Sequence, residues 1–201
     1  MIQAATHRVL IAEDEALIRL DLREMLEDEG CVVVGEAGDG ETALRLAEEL
    51  RPDLVMLDVK MPGLDGIAVA ERITGARIAP VVILTAFGQR DLVERARAAG
   101  AMAYLVKPFH QHDLIPAIEM AISRFTEIVA LEAEVADLAD RLETRKVVER
   151  AKGVLTSEHG MTEPEAFRYI QRTAMDGRTS MRGVASAVVH RTTLPPARAG
   201  D

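Results

Sequence analysis

The chain of 201 residues is 48% hydrophobic, 28% charged and 3% aromatic, with a net charge of −9, the profile of a globular protein packed on aliphatic side chains. No apolar run is long enough to span a bilayer, the opening "MIQAATHR" is too short and too polar for an export signal, and the lone Cys31 excludes an internal disulfide, so the expected setting is a reducing cytoplasm with no membrane partner. The charge is uneven: residues 1–142 hold 14 Lys/Arg against 26 Asp/Glu and residues 143–191 hold nine against six, which predicts two modules with different partners.

Through the first 110 residues, short apolar runs rich in β-branched side chains alternate with amphipathic stretches. The runs are "RVLIA", "CVVVGE", "DLVML", "PVVIL" and "MAYLV", and Gly30, Gly75 and Gly100 fall where the intervening helices should stop. Buried strands separated by helices predict an α/β fold with a five-stranded parallel sheet covered on both faces. "PGLDG" reads as a turn into a helix, with Asp65 as its N-cap.

After Pro108 the pattern is helical only. Between Asp113 and Lys152 there is no glycine, and Pro116 falls in the first helical turn, where proline is tolerated. Ile118, Ile122, Phe125 and Val129 are spaced 4-3-4, as are Leu131, Val135, Leu138 and Leu142, but the two sets are out of phase. The spacing predicts a long helix whose second half packs on another helix. "MTEPEAFRYIQRTAMD" opens with Thr162 and Glu165 at capping-box spacing, and "TSMRGVASAVVHR" carries Met181, Val184, Ala185 and Val188 on one face. The expected division is residues 1–125, a helical linker or coiled-coil segment at 126–142, a basic helical module at 143–191 and a disordered tail at 192–201.

The polar residue after each predicted strand is the informative one. "VLIA" runs into Glu13 and Asp14, "LVML" into Asp58, "VVIL" into Thr85 and "YLV" into Lys107. In a doubly wound sheet the carboxyl ends of the strands line the ligand crevice, so three carboxylates, a hydroxyl and an ammonium should converge there. Clustered carboxylates stay ionised only beside a compensating cation, and a hard ion such as Mg²⁺ suits oxygen ligands. Metal and ammonium together suit phosphoryl transfer, with Asp58 the expected nucleophile.

The motifs "IAEDE", "MLDVKMPGLDG", "ILTA" and "YLVKPF", from residue 8 to about 125, resemble the receiver domain of bacterial two-component response regulators. The resemblance implies a flavodoxin-like sheet of order 2-1-3-4-5 and phosphorylation of Asp58 by a sensor histidine kinase. It implies Mg²⁺ held by Glu13, Asp14, Asp58 and the backbone carbonyl of Lys60. It further implies that Thr85 follows the phosphoryl group, that Tyr104 changes rotamer with it, that Lys107 pairs with the acids, and that the bond before Pro108 is cis. Phe87, two residues beyond Thr85, is expected to narrow access to that group.

The segment from about Val129 to Val189, with "ETRKVVERAKGVL", "GMTEPEAFRYIQRTAM" and "RTSMRGVASAVV", is similar to ANTAR output domains, small three-helix RNA-binding modules. That resemblance implies transcription antitermination through tandem stem-loops of a nascent transcript. Charge and position nominate Arg145, Lys146, Arg150, Lys152, Arg178 and Arg182 as RNA contacts, with Phe167 read as core and Tyr169 as the aromatic open to exposure. The leucine seam suggests a homodimer formed on phosphorylation. Two alternatives stand beside this reading. One is a DNA-binding regulator with a C-terminal helix-turn-helix. The other is an aspartyl-phosphate phosphatase using Asp58, which "DVK" disfavours because it lacks a second aspartate two residues on. The expected role is therefore not that of an enzyme, beyond the receiver's own phosphoryl transfer and dephosphorylation.

Overall fold

The computed structural model describes residues 6–86 and 90–192. Phe87 and the tail beyond Thr192 lie outside the described residues. Five strands, β1 (Arg8–Ala12), β2 (Val32–Ala37), β3 (Leu54–Asp58), β4 (Val81–Ala86) and β5 (Ala103–Lys107), form one parallel sheet in the order β2-β1-β3-β4-β5. Four of the strands run one or two residues past the apolar runs, so Asp58, Thr85 and Lys107 belong to the strands' last turns of pleat rather than to loops. The chain leaves β1 toward β2 on one side and later returns to β3 on the other. That reversal opens a crevice at the carboxyl ends of β1 and β3.

Alternation along the strands builds two cores. Leu10, Ala12, Val55, Leu57, Val81 and Ile83 face helices α2 (Gly40–Leu50), α3 (Gly66–Gly75) and α4 (Arg90–Ala98). Val9, Ile11, Leu54, Met56, Val82 and Leu84 face α1 (Ala16–Asp28) and the first part of α5 (Gln111–His159). The edge strand β2 is largely half-exposed, unlike the fully buried β3, because it has a strand neighbour on one side only.

Contacts divide the chain into Met1–Ala130 and Leu131–Asp201, two units that share α5. In the first, Leu114, Ala117, Ile118 and Ala121 are buried and Ile122, Phe125 and Ile128 are packed beside them. Further along α5, Leu131, Val135, Leu138 and Leu142 are 53–65% exposed, so the seam meets no other helix among the described residues. In the second unit Val148, Ala151 and Leu155 of α5 pack with Ala166, Ile170 and Ala174 of α6 (Glu163–Asp176) and with Val184, Ala185 and Val188 of α7 (Met181–Val189). The backbone N–H of Thr162 donates to Glu165 Oε2 at 2.8 Å, giving α6 its expected cap.

Candidate functional site

The crevice gathers the predicted side chains. Glu13, directly after β1, is fully buried, while the adjacent Asp14 is exposed. Asp58 ends β3 at 6% exposure, and Thr85 of β4 is 3% exposed. Lys107, the last residue of β5, holds its Nζ 2.6 Å from Glu13 Oε2 and 3.0 Å from Asp58 Oδ1. No well-directed hydrogen bond reaches Glu13 Oε2, so the ammonium acts on it as a counter-charge. A cleft of about 260 Å³ is lined by Asp14, Asp58, Lys60, Thr85 and Lys107.

Electrostatics here are a balance of burial and pairing. Burial raises the pKa of Glu13, the charge of Asp58 adds to the rise, and Lys107 offsets only part of it. Burial by itself would lower the pKa of Lys107, but its close pairing with the Glu13 and Asp58 carboxylates prevails, and the net shift is upward. Lys107 is therefore protonated at neutral pH, yet one ammonium faces a group of carboxylates. One oxygen each of Glu13, Asp14 and Asp58 lie within 4.8 Å of one another. A buried glutamate with a raised pKa beside two further carboxylates is the environment a hard divalent cation relieves, so the donor set fits Mg²⁺.

The loop after β3 is fixed by backbone approach. A Cβ on Gly66 would lie 1.9 Å from the Asp58 carbonyl oxygen, and one on Gly40 would lie 2.0 Å from the Leu64 carbonyl oxygen. The Gly66 N–H donates to Val59 O at 3.1 Å, and Asp65 caps α3 by accepting from the Ile67 N–H at 2.8 Å. Sequence reasoning took Gly66 as a turn residue and missed its contact with Asp58. It also missed Arg19, whose guanidinium donates to the Glu13 carbonyl at 2.5 Å and pairs with Glu36 at 3.3 Å. Neither contact leaves a signal in local sequence spacing.

Tyr104 stands apart from the acids. It is 51% exposed and lines a separate groove of about 590 Å³ with Phe109, His112 and Met120. The Lys107–Pro108 peptide is cis. A second trio, His110, His112 and Asp113, gathers at the start of α5, where Asp113 Oδ2 accepts the His110 N–H at 2.9 Å as a helix cap.

In the second unit the basic candidates differ in their freedom. Lys152 Nζ sits 3.0 Å from Glu149 and 2.5 Å from Glu163, joining α5 to α6, and its side chain is 12% exposed. Lys146 pairs with Glu143 at 2.8 Å, and Arg182 pairs with Asp140. Arg145, Arg150 and Arg178 are exposed and form no ion pair among the described residues.

Two family profiles match the chain: a response regulator receiver domain over residues 9–119 and an ANTAR domain over residues 136–189. The transcriptional regulatory protein PdtaR of Mycobacterium tuberculosis is 67% identical over 192 residues, covering 96% of this chain and 94% of that protein. The chain belongs to the response regulators with receiver and ANTAR domains. Among solved structures, the receiver domain of a modulated diguanylate cyclase from Desulfovibrio desulfuricans G20 is 35% identical, covers 60% of this chain and 97% of its own, and gives a TM-score of 0.57. The receiver domain of the putative response regulator NarL from Mycobacterium tuberculosis is 30% identical, with coverage of 60% and 98% and a TM-score of 0.56.

In this response regulator the receiver carries the acidic cleft and the ANTAR domain carries the freer arginines. One expectation for the ANTAR domain is reversed. Phe167 is 43% exposed, whereas Tyr169 is half-buried against the core. The core face of α6 is the i, i+4, i+8 row Ala166, Ile170 and Ala174, which leaves Phe167 on its flank. Among the described residues no helix is long and apolar enough to cross a membrane.

Proposed function

We propose that this response regulator is phosphorylated on Asp58 by a sensor histidine kinase, and that phosphorylation controls binding of its ANTAR domain to structured RNA and so antiterminates transcription. The observation that supports this most is the convergence of Asp14, Asp58, Thr85 and Lys107 on one cleft, with the buried Glu13 paired to Lys107 behind it, in a receiver joined to an ANTAR domain. A carboxylate oxygen of Asp58 attacks the phosphorus of a phosphohistidine, the N–P bond breaks and the imidazole leaves. Lys107 offsets charge gathering on the transferred oxygens, and Thr85 lies across the cleft as a hydroxyl partner for them. Glu13, Asp14, Asp58 and the Lys60 carbonyl would hold Mg²⁺, which supplies the remaining charge compensation.

The exposed row Leu131, Val135, Leu138 and Leu142 supplies the readout. With Ile128 it fills alternating a and d positions, and in water such a row favours pairing with a second copy. Dimerisation on phosphorylation would bring two ANTAR domains to two stem-loops. The test is anisotropy of a labelled tandem stem-loop RNA, with Mg²⁺, with and without beryllofluoride, alongside light scattering and duplex DNA as competitor. Tighter RNA binding and a doubled mass with beryllofluoride, absent in D58N and unmoved by DNA, are expected. Equal mass and equal affinity in both states would sink the mechanism, and effective competition by DNA would favour a DNA target.

A further inference from the structure

The exposed aromatic on α6 is not one of the side chains that build the core of its domain. Phe167 is 43% exposed although the ANTAR core is otherwise built from aliphatic side chains and the half-buried Tyr169. At about 100° per residue, Phe167, Gln171 and Met175 form one row and Arg168 and Arg172 the next, so the five share a sector of about 140°. All five are exposed, Met175 at 72%.

Among the described residues no carboxylate of α6 falls inside that sector, although the exposed Asp176 stands at its edge, one turn beyond Arg172. Glu163 is held 2.5 Å from Lys152, and Glu165 Oε2 accepts the Thr162 N–H at 2.8 Å. Arg168 donates through Nε to the Pro164 carbonyl at 3.3 Å, which leaves its terminal nitrogens outward, and neither Arg168 nor Arg172 meets a carboxylate among the described residues. An aromatic face, an amide able to donate and accept, and two unneutralised guanidinium groups therefore stand together. The excess of Asp and Glu in residues 1–142 repels a polyanion, so attractive charge has to come from the ANTAR domain.

We infer that this face of α6 is a nucleobase-binding site, in which an unpaired base of an RNA loop stacks on Phe167 while Arg168 and Arg172 take the flanking phosphates. The inference rests on the RNA reading above and adds Phe167, Arg168 and Arg172 to the contacts nominated from sequence. Single-stranded loops are where RNA exposes unstacked bases, and an aromatic side chain supplies the surface that replaces the lost stacking. Aromatic and arginine side chains also anchor protein interfaces. Here the apolar row is broken by Gln171 and flanked along one side by Arg168 and Arg172, with Glu163 taken by Lys152 at its start, which complements a polyanion better than an ordinary protein surface.

The test uses the full-length protein with beryllofluoride and a tandem stem-loop RNA carrying 2-aminopurine at successive loop positions. Wild-type protein should change the fluorescence at one loop position. F167L, which keeps apolar bulk but removes the aromatic face, should bind roughly five- to hundredfold more weakly and abolish that change, while F167Y retains both. The double variant R168A/R172A should lower the salt dependence of log K by about one to two. Wild-type affinity and an unaltered fluorescence change in F167L would overturn the site while leaving RNA binding intact, and a protein partner for the face would then be indicated. Failure of the wild-type protein to bind removes the RNA reading itself and this site with it. Unchanged circular dichroism and thermal midpoint in F167L keep the comparison free of unfolding.

Discussion

Lys107 Nζ stands 2.6 Å from Oε2 of Glu13, a carboxylate with no solvent exposure, and this single ammonium also serves Asp58 at 3.0 Å. Removing one partner of a buried pair leaves the other charge uncompensated. K107M should therefore destabilise the receiver by about 3 kcal/mol in a metal-free buffer, the low end of what breaking buried pairs costs, since Lys107 retains some exposure. Millimolar Mg²⁺ should recover part of the loss, because a cation at the acids restores the missing positive charge. Denaturant unfolding with EDTA and with Mg²⁺ reads both effects. Equal stability of K107M and wild type in EDTA would show that the pairing carries little energy.

The approach of Gly66 to Asp58 gives a second expectation. In G66A the new Cβ would sit 1.9 Å from the Asp58 carbonyl oxygen, and since both are backbone-anchored no rotamer change relieves the clash. The end of β3 must shift, at about 3 kcal/mol, the upper part of the usual range for over-packing, and the phosphoryl acceptor shifts with it. Gly75 is the control. It ends α3 with nothing within 4 Å of its Cβ position, and no positive φ strains a side chain there. G75A should be neutral or stabilise by up to about 1 kcal/mol. Thermal melts and acetyl-phosphate labelling of the two variants should separate cleanly, with only G66A impaired in both.

What the sequence revealed and what it hid divide along a physical line. Asp58, Thr85 and Lys107 were legible because an apolar strand ending in a polar residue is a local pattern, and parallel topology brings strand ends together. The seam from Leu131 to Leu142 was legible as a spacing, but spacing carries no information about what covers it. Phe167 and Tyr169 were misjudged because a helix face turns by about 100° per residue, and the small Ala166 and Ala174 set the buried row as much as Ile170 does. Lys152 was nominated for RNA from its charge, whereas Glu163 of the next helix takes its ammonium. Contacts between elements, such as Gly66 with Asp58, have no local signature at all.

That capture of Lys152 separates structural from available cations. R145A and R150A, both exposed and without an ion pair among the described residues, should each weaken RNA binding across sequences and reduce the salt slope by about one. K152A should leave the slope nearly unchanged, because its ammonium already faces Glu149 and Glu163, and should instead lower the thermal midpoint of the ANTAR domain by loosening α6 from α5. Titrations at several salt concentrations, paired with melts, distinguish the two behaviours. A slope change in K152A matching that of R150A would reinstate Lys152 as a phosphate contact.

Acid stability should report the cap of α2. Asp39 accepts the Thr42 N–H at 2.8 Å and the Thr42 hydroxyl at 2.9 Å, and the backbone hydrogen bond, followed by the hydroxyl, holds its pKa below the ordinary aspartate value. A carboxyl whose pKa is depressed on folding contributes stability that is fully present above its unfolded value and is lost as pH falls through its folded value. D39N keeps an oxygen acceptor at the cap but cannot ionise. Wild type should therefore melt a few degrees above D39N near neutral pH, and the gap should close as the pH falls below the ordinary aspartate range. Melts of both proteins from pH 7 down to the limit of reversible unfolding trace this difference. A gap that stays constant through acid would mean that the charge of Asp39 does not stabilise the cap and that shape alone does.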